Sequence, residues 1–364
     1  MPVQAGRPFR HWLFFLSALA LAAVAVATSL VACGAGASLR LAHGWLNADL
    51  IVVPAGWAES VARGLLLGEP VPARLAYDSA QRIAAIPGVA AASPQLYLSC
   101  PERGAACALP GVFLVAYDPA TDFTLRPLVD HALPQGLGPE SAVGGSAIAV
   151  PPGEDSILVY GYPLRLAANL PPTGTGLDRS LFITLEAAHR LAGSSFASPA
   201  PPLAVPLTRI SAVTVRLRPG SDPQAVAAEI ERQMPWAASY TPAQLLAPFS
   251  RRVQAAWPVL GTSVAALVGY VALARRRQAK PQASAMASSL AAGAGLGVAL
   301  GCLVATLGRQ QATALLGVPY LLPPLRLRLL LAGGGAIGAV AAAGRAARRP
   351  ALPTVTRSFR ADDG

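Results

Sequence analysis

The chain reads as a multi-pass α-helical membrane protein, with four transmembrane helices and an α+β extracytoplasmic domain between the first and the second. Three observations predict this. The 364 residues are 53% hydrophobic and only 13% charged, with a mean hydropathy of +0.47, too apolar for a soluble enzyme of this length. Four uncharged runs come close to the length of a bilayer crossing. Arginines stand at the edges of those runs and account for almost all of the net charge of +11, Lys280 being the only lysine.

Trp12–Ala32 holds 21 residues without a charge, about 31 Å as a helix at roughly 1.5 Å per residue, which matches the hydrocarbon core. The second run, 255–274, stops at Arg275, Arg276 and Arg277, and the third lies between Lys280 and Arg309. The fourth, Leu329–Gly344, is the shortest at 16 residues. It contains Gly333, Gly334 and Gly335 and needs Arg326 or Arg328 to snorkel to the interface. The positive-inside rule then places Arg7 and Arg10, Arg275 to Lys280, and Arg345, Arg348 and Arg349 in the cytoplasm, which four crossings satisfy.

The expected organisation is a cytoplasmic N-terminus over 1–11, spans at 12–32, 255–274, 285–308 and 329–345, and an outer domain over 33–254. A short cytoplasmic loop covers 275–284, an external turn 309–328, and a cytoplasmic tail 346–364. Nucleic-acid binding is excluded on composition, because aromatics are 6% and the arginines are scattered instead of clustered with aromatics.

The outer region alternates short β-like runs with short amphipathic helices. Strands are predicted at Leu50–Val53, Val112–Tyr117, Ser156–Tyr160, Leu181–Leu185 and Ala212–Leu217. Asp78 caps a helix over Ser79–Ala85 that stops at Pro87-Gly88, and Asp222 with Pro223 opens one that runs to Met234. Pro-rich joints at 151–152 and 198–206 divide the region into two subdomains, one inserted in the other.

Catalytic signatures are missing. His11, His43, His131 and His189 have no metal-ligand spacing, and His189 reads as a satisfied structural histidine on a helix. No serine sits in a nucleophile elbow, and Gly174-Thr175-Gly176 lacks the Lys-Ser/Thr of a phosphate loop. The chain is therefore expected to need no cofactor and to hydrolyse no ATP itself. Cys100 and Cys107 flank a turn in a compartment that permits oxidation, so they read either as a disulfide or as two thiols, reduced, reactive or metal-binding. Cys302 reads as a small buried residue of the third span. Leu30-Val31-Ala32-Cys33 followed by Gly34 has the form of a lipobox, the alternative being a chance ending of an apolar helix.

The order of parts, one helix, a large outer domain, then three helices, resembles the MacB/FtsX-like permease subunits of ABC transporters. The stretches that carry the resemblance are Ala48–Pro54, Ile86–Val89, Ser93–Tyr97, Tyr117–Phe123, and most distinctively Pro172-Thr173-Gly174-Thr175-Gly176-Leu177-Asp178 followed by Phe182. It runs from the first helix to Arg349. Since that family keeps its first helix as a stalk, the resemblance argues against cleavage at Cys33.

The resemblance implies a permease in the bacterial inner membrane with its large domain in the periplasm. It implies a cytoplasmic ABC ATPase partner, a second permease subunit in a homo- or heterodimer, and contact with membrane lipid. Such a subunit transmits motion from the ATPase to the outer domain. The sequence departs from the family where an amphipathic ATPase-docking helix should follow the second span, because Arg275-Arg276-Arg277 leads almost directly through Lys280-Pro281 into the third. Those arginines are thus either topology anchors or direct ATPase contacts. Alternative readings are a membrane-tethered scaffold that has lost ATPase coupling, and an enzyme in the outer domain.

Overall fold

A computed structural model of the chain describes residues 7–71, 74–100, 107–150, 153–154, 156–173, 175–196, 208–276, 283–319 and 322, and then 326, 328–330, 332–333 and 337. The elements run in chain order as α1 (Arg7–Leu46), β1 (Leu50–Pro54), α2 (Ala58–Leu67), β2 (Leu75–Ala76), α3 (Ser79–Ala84), β3 (Val89–Ser99) and β4 (Phe113–Tyr117). They continue with α4 (Arg126–Ala132), β5 (Ser141–Gly144), β6 (Ile157–Val159), β7 (Tyr162–Asn169), β8 (Ser180–Thr184), α5 (Leu185–Ser195), β9 (Arg209–Ile210) and β10 (Ala212–Leu217). The last are α6 (Pro223–Gln233), β11 (Ala237–Tyr240), α7 (Pro242–Gln254), α8 (Ala256–Arg276), α9 (Ala283–Leu307) and α10 (Arg309–Leu316). The chain divides into two compact units: Met1–Leu30 with Trp257–Gly308 and Pro323–Gly364, and Val31–Ala256 with Arg309–Leu322.

Two helices among the described residues are long and apolar enough to cross a membrane, Phe15–Gly44 of α1 and Ser288–Leu307 of α9, with mean hydropathies of 2.3 and 2.0. α8 occupies the second expected span, while the fourth, 329–345, falls largely outside the described residues. Three hydroxyls in these helices fold back onto their own backbone: Ser29 Oγ donates to Ala25 O, Ser263 Oγ to Val259 O and Thr306 Oγ1 to Cys302 O, each at 2.7 Å.

A glycine stripe joins α9 to α1. A Cβ at Gly293, Gly297 or Gly301 would come within 3.0 Å of the carbonyl oxygens of Phe15, Leu19 and Ala23 respectively, so only glycine lets the backbones approach this closely. The residue numbers rise together in steps of four along both helices, and α1 and α9 therefore run parallel.

The outer unit is built on one nine-stranded sheet, in the order β11-β1-β10-β3-β4-β8-β5-β7-β6, beside a β2-β9 ribbon. The pairs β4–β8 and β5–β7 are parallel and the rest antiparallel. Every residue of β1, β4 and β8 is buried, because helices cover both faces of the sheet. On one face Ile51, Val53, Phe113, Val115 and Phe182 pack with α1 residues Ala35 and Ala42, with Leu66 of α2 and with Phe249 of α7. The opposite face is shared by two clusters. Leu50 and Val52 pack with Ile83 of α3 and Ile230 of α6, and Leu114 and Leu181 pack with Leu191 of α5.

Two expectations change. The first helix does not end near Ala32; with no proline after Pro8 it continues to Leu46 and stops at Asn47, which takes a left-handed φ of 31°. The Pro-rich joints at 151–152 and 198–206 lie outside the described residues, and strands from either side of both joints share the nine-stranded sheet. The segment 309–328 is more than a turn, since α10 and the fully buried Val318 join the same core as Phe249 and Val253 of α7.

The glycine contact yields a direct test. Gly297→Leu is expected to cost about 2 kcal/mol through overpacking, while Gly269→Leu in α8, where a Cβ would meet nothing within 4 Å, should cost less than about 0.5 kcal/mol. Thermal unfolding of the full chain in detergent measures both.

Candidate functional site

Two of the stretches quoted for the resemblance, Ser93–Tyr97 and Tyr117–Phe123, meet in a buried polar cluster on the α1 face of the sheet. Gln95 on β3 is 4% exposed, as is Asp122 in the turn after β4. Gln95 Nε2 donates to Asp122 Oδ2 at 3.0 Å and to Thr124 Oγ1 at 2.9 Å, and its Oε1 accepts from Tyr97 Oη at 2.6 Å. Asp122 Oδ1 in turn accepts from the backbone N–H groups of Thr124, Leu125 and Arg126 at 2.8, 2.6 and 3.1 Å, holding the start of α4. Burial, reinforced by the Asp122 charge, pushes the phenols of Tyr97 and Tyr117 well above their ordinary range, so both stay protonated hydrogen-bond donors. Around this cluster Thr214, Ala42, Leu46 and Leu246 help enclose a cavity of about 30 Å³, room for a water but not for a substrate.

The Pro172–Asp178 stretch folds into a second polar knot. Asp178 Oδ1 accepts from Thr173 N at 2.6 Å and from Thr173 Oγ1 at 2.8 Å. Thr173 and Thr175 share a hydroxyl contact of 2.7 Å, and Thr175 Oγ1 caps the 3-10 turn Gly176–Arg179 by accepting from Leu177 N. A Cβ at Gly176 would collide with the backbone at Leu67 and Gly68, and one at Gly145 with the Leu177 carbonyl. Pro172 is exposed at the start of the stretch, and Gly174 lies outside the described residues. The motif ties the end of α2 to the start of β8; its threonines are 2% and 5% exposed and present no reactive group to solvent.

Cys100 and Cys107 are joined by a disulfide with S–S 2.10 Å and Cα–Cα 6.2 Å. It fastens the end of β3 to an isolated bridge between Cys107 and Val159, next to β6. Cys33 is exposed in mid-helix and Cys302 is buried in α9. Arg275 and Arg276 close α8, and Arg277 lies outside the described residues. His189 is on α5 as expected but is not satisfied: its Nε2 is buried with no partner among the described residues, and burial lowers its pKa, favouring the neutral ring. Among the described residues no three His, Cys, Asp or Glu side chains are grouped to hold a metal ion.

Sequence reasoning missed the polar cluster because Gln95 and Asp122 are far apart in the chain and neither belongs to a catalytic pattern. A local signal for α7 was present in Thr241-Pro242-Ala243-Gln244, a capping box in which Thr241 Oγ1 accepts from Gln244 N and Gln244 Oε1 from Thr241 N.

No family model matches the sequence, and no curated protein matches it. Among solved structures the chain is similar to the periplasmic region of MacB from Actinobacillus actinomycetemcomitans, at 9% identity and a TM-score of 0.34, over 53% of this chain and 88% of that one. It is also similar to the extracellular domain of the noncanonic ABC-type transporter YknZ from Gram-positive bacteria, at 11% identity and a TM-score of 0.30, over 53% of this chain and 99% of that one. Likenesses this remote carry no functional conclusion.

Asp122 should be the most costly single residue of the cluster. Asp122→Ala strands the Gln95 amide and three backbone N–H groups, and a loss of roughly 3 kcal/mol is expected. Asp122→Asn, which keeps one acceptor oxygen, should lose less. Chemical denaturation of the full chain in detergent, followed by circular dichroism, gives both values.

Proposed function

We propose that this chain is the permease subunit of an ABC transporter, a non-catalytic membrane protein that passes motion from a separate cytoplasmic ATPase to its extracytoplasmic domain during transport or extrusion. The observation that carries this reading is α1. It is a single helix of 40 residues, about 60 Å at roughly 1.5 Å per residue, apolar enough to span a bilayer over Phe15–Gly44. Its later residues Ala35 and Ala42 belong to the core of the outer domain. A continuous helix of that kind moves as one piece, so a displacement at its cytoplasmic end reaches the sheet.

The parallel run of α1 and α9 supports the multi-pass topology. If both cross the membrane in the same direction, the chain between them must return an odd number of times, and α8 is the helix available for that return. A reporter active only outside the cytoplasm is therefore expected to be active when fused after Val150 and silent when fused after Lys280. The opposite pattern would reverse the topology.

Coupling to the ATPase is the unusual part. Only residues 277–282 separate α8 from α9, too few for an amphipathic docking helix, and a permease transmits nucleotide-driven motion only through a surface that meets the ATPase differently in its two states. We infer a heterodimer in which a second permease subunit supplies the main docking surface and this chain contributes its outer domain and stalk, with Arg275, Arg276 and Arg277 acting as topology anchors. The same short connection favours the second reading, a tethered scaffold without ATPase coupling. The deciding measurement is complex formation and ATP turnover in lipid with a candidate ATPase, with and without the second permease. Turnover is expected to respond to this chain only when the second permease is present. Strong coupling by this chain alone, abolished by Arg275→Gln, Arg276→Gln and Arg277→Gln together, would restore a homodimer, and no response in any mixture would favour the scaffold.

A further inference from the structure

The end of β1 remote from α1 carries a surface that the transport reading does not use. Beyond Pro54, Ala55 N donates to Trp236 O at 2.8 Å and Trp57 N to Pro54 O at 3.0 Å, which draws the loops before α2 and before β11 together. Facing them is the β2-β9 ribbon, where Arg209 Nη1 donates to Arg74 O at 2.9 Å. Between the two lies an open groove of about 480 Å³, lined chiefly by Pro54, Ala55, Trp57, Arg74, Arg209 and Trp236. That volume is within the range of ligand pockets, roughly 300–1,000 Å³.

Its chemistry is one-sided. The Arg74 guanidinium lies 4.5 Å from the centroid of the Trp57 ring, and Arg82 stands 5.4 Å from that of Trp236. Other arginines of this unit, Arg63, Arg126, Arg190, Arg232 and Arg252, are paired with carboxylates. Among the described residues Arg74, Arg82 and Arg209 form no ion pair, and no acidic residue lines the groove. Arg82 and Arg209 each give one nitrogen to a backbone carbonyl, at Gln233 and Arg74, and the remaining donors of all three are left for a partner. Trp236 is 50% exposed, an unusual place for the largest apolar side chain. Tryptophan and arginine together are the residues that dominate binding at protein interfaces.

The geometry points to this groove as the docking site for an acidic polypeptide segment, one in which Asp or Glu side chains flank an apolar residue. The guanidinium forks match carboxylates in shape as well as charge, and the Pro54, Ala55 and indole surfaces take the apolar side chain between them. A free phosphate would leave the two indoles unused, and a flat anionic lipid surface would not follow a groove. This inference rests on the outer domain alone and is independent of the transport reading.

The test uses the full chain in phosphatidylcholine nanodiscs and short fluorescent peptides carrying several Asp and Glu around one Leu or Phe, with fluorescence anisotropy as the readout. Binding should weaken with salt and be absent for the isosteric Asn/Gln peptides. Arg74→Gln with Arg209→Gln is expected to lower affinity about tenfold or more, and Trp236→Ala likewise, while Arg179→Gln on the 3-10 turn changes nothing. Unchanged thermal unfolding of the Arg→Gln variant separates lost contact from lost fold. Failure of every acidic peptide to bind, equal binding of the amide peptides, or affinity indifferent to Arg74 and Arg209 would overturn the proposal. So would binding of phosphatidylglycerol vesicles in place of the peptides, or self-association abolished by the same substitutions, which would assign the groove to lipid or to a second copy.

Discussion

A sheet whose central strands are buried on both faces has no face it can leave to water, and the outer domain follows from that constraint. β1, β4 and β8 have no exposed position, so helices must come from wherever the chain can provide them. α3, α5 and α6 come from within the domain and serve one face. The other face recruits α2 and α7, and also the last turns of α1 and the segment 309–322, which the chain reaches only after α9. The last turns of α1 and the segment after α9 thus belong to the same core as the sheet.

The same constraint explains why the polar cluster is so completely satisfied. Gln95, Tyr97, Asp122 and Thr124 lie beneath the helices of that crowded face, where an unpaired donor costs far more than in water. Each polar group therefore closes on another, and the result is a fixed register between β3, the turn after β4 and α4. The Thr173–Asp178 knot does the equivalent work at α2.

How much of this could be read from the sequence depended on how local each cause was. β1, β10 and α6 announced themselves: β-branched and leucine runs for the strands, Asp222 followed by Pro223 for the helix, whose Asp222 Oδ1 indeed accepts from Gln224 N. β3 did not, although at 11 residues it is the longest strand. Pro94 sits in its middle opposite Val213, where a proline ordinarily argues against a central strand. The polar cluster and the Trp57–Trp236 groove were invisible for a different reason, since their members come from separate elements and meet only through β pairing. Two of the apolar runs were readable as long apolar helices because length and composition alone define them, whereas the continuation of α1 past Ala32 was hidden because its later residues Ala35 and Ala42 pack into the core of the sheet unit.

The position of α10 has a consequence for biosynthesis. Val318, wholly buried, and Leu316 and Leu322 beside it complete the core that contains Phe249 and Val253. A ribosome must therefore make more than three hundred residues, including α8 and α9, before the first domain it began can finish folding. Until then the face of α7 around Phe249 lacks part of its apolar cover. Completion of this core is in this way made conditional on synthesis of the helices α8 and α9 that come before α10.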